Sequence, residues 1–185
     1  LNISDLKGYS WNSTCIADES LSSGGMHSYY ESIRFQTWSA WYASRVYYDN
    51  TNCWYNGTSV FNPQVDGSTV TIGTRISGSI FPIQFTATSS SGRTYAAAVN
   101  WMTNTGCPSG PGPWGNGTTL SLTGIACAFM TQPSVGQLID NVIRLADNKL
   151  SFQLGGSSAV TSGPGVFHGG VELPATTPSI TYTRQ

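Results

Sequence analysis

Charge is scarce in this chain. Lys, Arg, Asp and Glu together supply 9% of its residues, against roughly a quarter in an ordinary globular protein. The eight basic residues stand singly, from Lys7 to Arg184. Displacing counterions from a phosphate backbone takes clustered cations, so a nucleic-acid partner is set aside. No apolar run approaches the ~20 residues that a helix needs to cross a bilayer, so no membrane span is expected. Histidine occurs twice, at His27 and His168, which rules out a multi-histidine metal centre. No cysteines stand as a CxxC pair, so neither a zinc site nor a dithiol redox motif is expected. G-x-S-x-G, H-E-x-x-H and phosphate-cradling glycine loops do not occur. No cofactor or metal is expected.

Low charge in a disordered chain comes with few aromatics. Here aromatics reach 12%, with six Trp and nine Tyr. The better reading is a folded protein with a surface rich in Ser, Thr and Gly. Its 185 residues suit one domain over 1–185, long enough to bury a core without staples. The chain starts at Leu1 with a polar segment, as after removal of a leader. Four cysteines, Cys15, Cys53, Cys107 and Cys127, form an even set that points to disulfides and secretion. Three pairings are open. Cys15–Cys53 with Cys107–Cys127 is favoured, because sequential pairs close the shorter loops. Sequons at Asn2, Asn12, Asn56 and Asn116 would mark surface loops of a secreted glycoprotein.

The patterning is β nearly throughout. MHSYYESIRFQ (26–36) puts Tyr29, Glu31, Ile33 and Phe35 on one side, with Tyr30, Ser32, Arg34 and Gln36 on the other. Strands are also expected over 37–49, 68–78, 80–89, 93–103 and 119–130, with SSSG (89–92) as a turn. Pro82 implies an edge strand or a bulge. Residues 104–119, rich in Pro and Gly, read as a loop, as do 155–170. NVIRLADNKLSFQL is a hairpin, since Asp147-Asn148 tolerates the left-handed conformation its turn needs. ITYTRQ (180–185) reads as a closing strand. Helical spacing occurs in PSVGQLIDNVIRLAD, read as a short turn at 134–140 feeding a strand. DESLSSGG is too short and glycine-broken for a helix. About nine short strands mean a closed barrel or a two-sheet sandwich.

Candidate chemistry is sparse. A glycosidase needs two carboxylates across a cleft. Glu31 and Glu172 are the pair best placed to serve, although solvated or salt-bridged acids are the simpler reading. Aromatics are the richer signal. Trp38, Trp41, Tyr42, Tyr47, Tyr48, Trp54 and Tyr55 crowd a short span. On a strand, Trp38 and Tyr42 share one face and Trp41 takes the other. One face is core; the second is a partner surface, a sugar platform or a ligand wall. An aromatic cavity with a few polar tips suits a small ligand. Trp38, Trp41, Tyr42, Tyr47, Trp101 and Trp114 are the expected ligand contacts.

GYSW, from Gly8 to Trp11, resembles the glycine–tryptophan signature that opens the first strand of lipocalin-like barrels. STC ending at Cys15 and YYDNTNC ending at Cys53 are similar to the W…C and Y-x-D…C of secreted members. ITYTRQ is similar to their closing strand. The resemblance implies a secreted, antiparallel, up-and-down β-barrel that holds a small apolar or amphipathic molecule. It also implies that Arg184 packs over Trp11 as a cation–π stack sealing the barrel floor. The expected function is therefore a secreted protein binding a small hydrophobic or aromatic molecule, rather than an enzyme. A carbohydrate-binding β-sandwich and a jelly-roll glycoside hydrolase are the alternatives, because Ser, Thr, Asn, Trp and Tyr also suit sugars.

Overall fold

Alternation of inward and outward side chains, carried through strand after strand, closes the sheet on itself. The computed structural model describes residues 3–53, 58–75, 78–127, 130–153 and 181–185. Its strands are β1 (Ser10–Ser13), β2 (Ile16–Ala17), β3 (Ser28–Thr37), β4 (Ala40–Tyr48), β5 (Ser59–Ile72) and β6 (Ile80–Thr94). Then come β7 (Thr119–Ser121), β8 (Ala126–Cys127), β9 (Met130–Thr131), β10 (Leu138–Ala146), β11 (Lys149–Gln153) and β12 (Thr181–Arg184). Eight of them form a closed antiparallel barrel in the order β1, β3, β4, β5, β6, β10, β11, β12 and back to β1. Neighbours in the barrel are neighbours in sequence, apart from the short β2 between β1 and β3 and the excursion through β7, β8 and β9. This is the up-and-down barrel, and the two-sheet sandwich is set aside. Closure removes both free sheet edges.

Register sorts the inward side chains of β3 to β6 into levels. Phe35, Trp41, Gly67 and Ala87 share one; Ile33, Ala43, Val65 and Ser90 share the next. Glu31 and Arg45 face each other on the third. Tyr29, Tyr47, Phe61 and Thr94 make the fourth. Leu145, Leu150 and Tyr182 continue the interior across β10, β11 and β12. The opening stretch is the barrel floor. Gly8 turns with φ 86°, its N–H bonds the Phe35 carbonyl, and the buried Trp11 indole donates to Leu6 O at 3.2 Å. Trp11 and Arg184 face each other across β1 and β12, as the resemblance implies. The guanidinium itself, however, lies over the Tyr9 ring, 4.3 Å from its centroid. Trp11 turns into the core, while Tyr9 stays on the rim where a charged group keeps its water.

The disulfides are Cys15–Cys53 and Cys107–Cys127. The first ties the break between β1 and β2 to the turn after β4. The second ties the end of a helical segment (96–106) to β8. Two disulfides fit an oxidising compartment. Asp147 and Asn148 have φ of 52° and 57° and join β10 to β11, as their residue types predict.

Several local expectations give way to tertiary pairing. SSSG is not a turn: β6 runs through it, because Ser90 and Ser91 find partners in Val65 and Ser121. The strand expected over 93–103 ends at Thr94, and 96–106 is helical. Ala96-Ala97-Ala98 is a run of the best helix former. The strand expected over 119–130 is interrupted by a turn at Thr123-Gly124, where Gly124 has φ 73°. The turn ahead of β10 ends at Gln137 rather than 140, and Leu138 already pairs with Thr86. DESLSSGG contributes a short 3-10 turn, Glu19–Gly24. Pro82 sits between β5 and β10, not on an edge; its carbonyl accepts from Gly73 N–H.

Gly67 is the tightest position of the sheet. A Cβ there would stand 2.0 Å from the buried Trp41 indole. Gly67→Ala is expected to destabilise the fold by about 1–3 kcal/mol, and by less in a Trp41→Leu background. Denaturant unfolding of the four proteins checks this; an unchanged midpoint in Gly67→Ala would contradict the packing.

Candidate functional site

The barrel interior holds a charged pair among its aromatics. Glu31 and Arg45 both point inward because strict alternation leaves them no other face, and both are 1–2% exposed. Glu31 Oε1 accepts from Arg45 Nε at 2.7 Å and also from Arg45 Nη2. Glu31 Oε2 accepts from the Tyr182 hydroxyl, which arrives from the closing strand. Arg45 Nη1 donates to Tyr47 OH at 2.8 Å, and the guanidinium lies over the Tyr29 ring, 4.2 Å from its centroid. Glu31 N–H donates to Ser13 Oγ at 2.8 Å, joining β1 to the cluster. Charge-assisted bonds of this kind are the stronger class, and a carboxylate with three donors is well matched.

Burial governs the ionisation of the cluster. It lifts the Glu31 carboxyl above the ordinary carboxylate range, while Arg45 and the Tyr182 and Arg45 hydrogen bonds pull the other way. Arg45 is held protonated by Glu31 against the cost of burial. Burial raises the Tyr29, Tyr47 and Tyr182 phenols as well, and Tyr182 is raised further by the Glu31 charge. Tyr48 is pushed up to about 12, again chiefly by burial.

The expected ligand contacts do not form one wall. Trp41 and Tyr47 point into the barrel from β4. Trp41 stands 5.1 Å from Phe85, and Tyr47 stacks on Phe61 at 6.4 Å. Tyr42 is half-buried on the outer side, opposite the exposed Arg34. Trp38 is half-buried in the turn between β3 and β4. Trp101, in the helical segment, is half-buried against Gly24 and Gly106. Trp114 is buried, edge-on to Phe61 at 6.0 Å, and its indole donates to Cys107 O at 3.2 Å. Among the sequons, Asn116 is exposed in a turn, whereas Asn12 lies half-buried in β1 rather than in a surface loop. Asn2, Asn56, Trp54, Tyr55, His168 and Glu172 lie outside the described residues. Glu31 is not a solvated acid; its salt bridge is fully buried.

Arg45 and Tyr182 escaped the sequence reading. A signal for Arg45 was present: it interrupts the inward series Trp41, Ala43, Tyr47, just as Glu31 interrupts Tyr29, Ile33, Phe35. Two opposite charges at matching places on adjacent apolar faces announce a buried cross-strand pair. Tyr182 had no such signal, because its role depends on barrel closure. No family model matches the chain, and no curated protein matches it by sequence.

Two outcomes follow. Arg45→Met alone strands a buried carboxylate and is expected to cost about 3–5 kcal/mol, whereas Glu31→Leu with Arg45→Met recovers most of that loss. Denaturant midpoints test it; a double variant as weak as the single one contradicts the pairing. The raised phenols keep protons that an unfolded chain releases near pH ~10. Their stabilising contribution is therefore complete below that pH and is lost as pH rises toward 12. Tyrosinate absorbance should rise in two stages, the second coinciding with unfolding by circular dichroism. A single stage before unfolding would show the phenols to be open to solvent.

Proposed function

We propose that this chain is a secreted, lipocalin-like binding protein, one domain over 1–185, that holds a small apolar molecule inside its barrel. The observation that carries the reading is the chemistry of the interior. Trp11, Ile33, Phe35, Trp41, Phe61 and Phe85 are all buried, and the polar groups centred on Arg45 are few among them. A mostly apolar enclosure with few, well-placed polar groups is what small-ligand sites share. Leu6 and Trp11 close one end, and Trp114 packs on Phe61 at the other. Entry then requires one of these closures to part, and the Trp114 loop is the better gate, because loops open at lower cost than paired strands.

A carbohydrate platform is less well supported. Sugar stacking on a surface needs exposed indoles, yet Trp11, Trp41 and Trp114 are buried, and Trp38 and Trp101 are half-covered. The exposed large apolar side chains among the described residues are Tyr9, Val135 and Leu138, none of them a tryptophan.

Native mass spectrometry of the full chain, produced through a secretory route, tests the proposal. An apolar adduct that organic extraction removes is expected, and Trp114→Ala should release it several-fold faster with circular dichroism unchanged. An adduct-free protein that also takes up no naphthalene-sized apolar probe would overturn the reading.

A further inference from the structure

The Glu31–Arg45 cluster is matched within itself, but three neutral groups on the inner levels are not: Thr94 Oγ1 on the phenolic level, and two that lie on adjacent levels of one wall. Trp41 Nε1 and Ser90 Oγ are buried and have no hydrogen-bond partner. Both residues are 2% exposed. Buried polar groups are nearly always paired in folded proteins, so each such exception needs an account.

Both groups belong to the barrel's inner face. Trp41 shares its level with Gly67 and Ala87, and its Nε1 lies 2.0 Å from where a Gly67 Cβ would stand. The indole N–H is therefore laid along the inner surface of β5, not out between strands. Ser90 shares the adjacent level with Val65 and Ala43. The wall carrying both groups is otherwise built of small side chains: Ala43, Val65, Gly67 and Ala87. An indole N–H can only donate; a serine hydroxyl donates or accepts. The pair is matched by a neutral oxygen acceptor in an apolar setting.

An anion is poorly matched. Arg45, the fully buried cation among the described residues, is already engaged by Glu31. A ligand carboxylate brought to this wall would lose its own hydration without a free counter-charge, since Arg45 is engaged.

Resting on the ligand-holding reading above, we propose that Trp41 Nε1 and Ser90 Oγ are polar contacts for the ligand, and that this ligand is an uncharged apolar carbonyl compound. Trp41 and Ser90 are then determinants of specificity, and an anion is disfavoured because Arg45 is already engaged by Glu31.

Three probes of nearly equal size test it by equilibrium dialysis against the full chain: 2-acetylnaphthalene, 2-ethylnaphthalene and 2-naphthoate. The ketone should bind most tightly and the carboxylate least. Trp41→Phe and Ser90→Ala should each weaken the ketone by about threefold to tenfold, the span of one hydrogen bond. The hydrocarbon should change by less than twofold. Ser90→Ala alters little volume, so it decides the matter if Trp41→Phe fails to fold. A carboxylate bound as tightly as the ketone would overturn the inference while leaving the ligand-holding barrel standing. So would variants that weaken ketone and hydrocarbon equally, or neither, the latter marking the two groups as water-satisfied. If none of the probes binds, the ligand-holding reading falls and takes this inference with it.

Discussion

The buried pair of Glu31 and Arg45 is the constraint on which the barrel turns. An isolated charge in such an interior costs several kcal/mol, so each partner holds the other in place. Direct pairing fixes the register of β3 against β4, because a one-residue slip of either strand would turn its own charge outward and leave the other buried without a partner. Tyr182 extends the constraint to the far end of the chain, since its hydroxyl completes the Glu31 carboxylate across 151 residues of sequence. Ser13 adds β1 through the Glu31 N–H. The cluster thus joins the first, second, third and last strands of the barrel at one point. Such a pair contributes less to stability than a well-packed apolar replacement would, and its value lies in specifying one closure among many.

Around that point the levels of side chains have separate tasks. The level at the floor is aromatic, with Phe35, Trp41 and Phe85 in contact, and Trp11, beside Ile33, donates to Leu6 O. Its size is accommodated by Gly67, where a side chain and the Trp41 indole compete for one place. The level at the other end is phenolic, and Trp114 packs on it from the loop that Cys107–Cys127 tethers. Cross-links therefore fall where the ladder is weakest: at the break between β1 and β2, and beside the short β8. Strands with full partners on both sides carry none.

Much of this was legible in the sequence, and the limit has a physical cause. Inward and outward faces of 28–48 follow from alternation, which depends only on neighbours two residues apart. The Asp147-Asn148 turn follows from what those residues tolerate at positive φ. Loop length favoured both disulfides among three open pairings. Failure came where a partner distant in sequence decided the outcome. Ser89 to Gly92 have turn chemistry, yet β5 and β7 supply ladder partners and the strand continues. Ala96 begins a helical segment just where those partners end. Tyr182 is an ordinary strand residue until closure brings it to Glu31. Arg45 was readable as a charge in an apolar row, but its meaning required the opposing row to be aligned with it.

The same reasoning bears on what the interior accepts. Polarity inside the barrel is of two kinds: one saturated, one not. The saturated kind is charged and self-contained, so it adds a field without offering a docking point for an ion. The unsaturated kind is neutral: Trp41 Nε1 and Ser90 Oγ on the small-residue wall, and Thr94 Oγ1 on the phenolic level. On the proposed ligand-holding reading, a molecule that enters without charge would leave the Glu31–Arg45 pair undisturbed and give Trp41 its acceptor. A charged molecule must compete with a pair that the whole closure of the barrel depends on. On that proposal, selection against anions would follow from the fold's own stability, without a dedicated repulsive element.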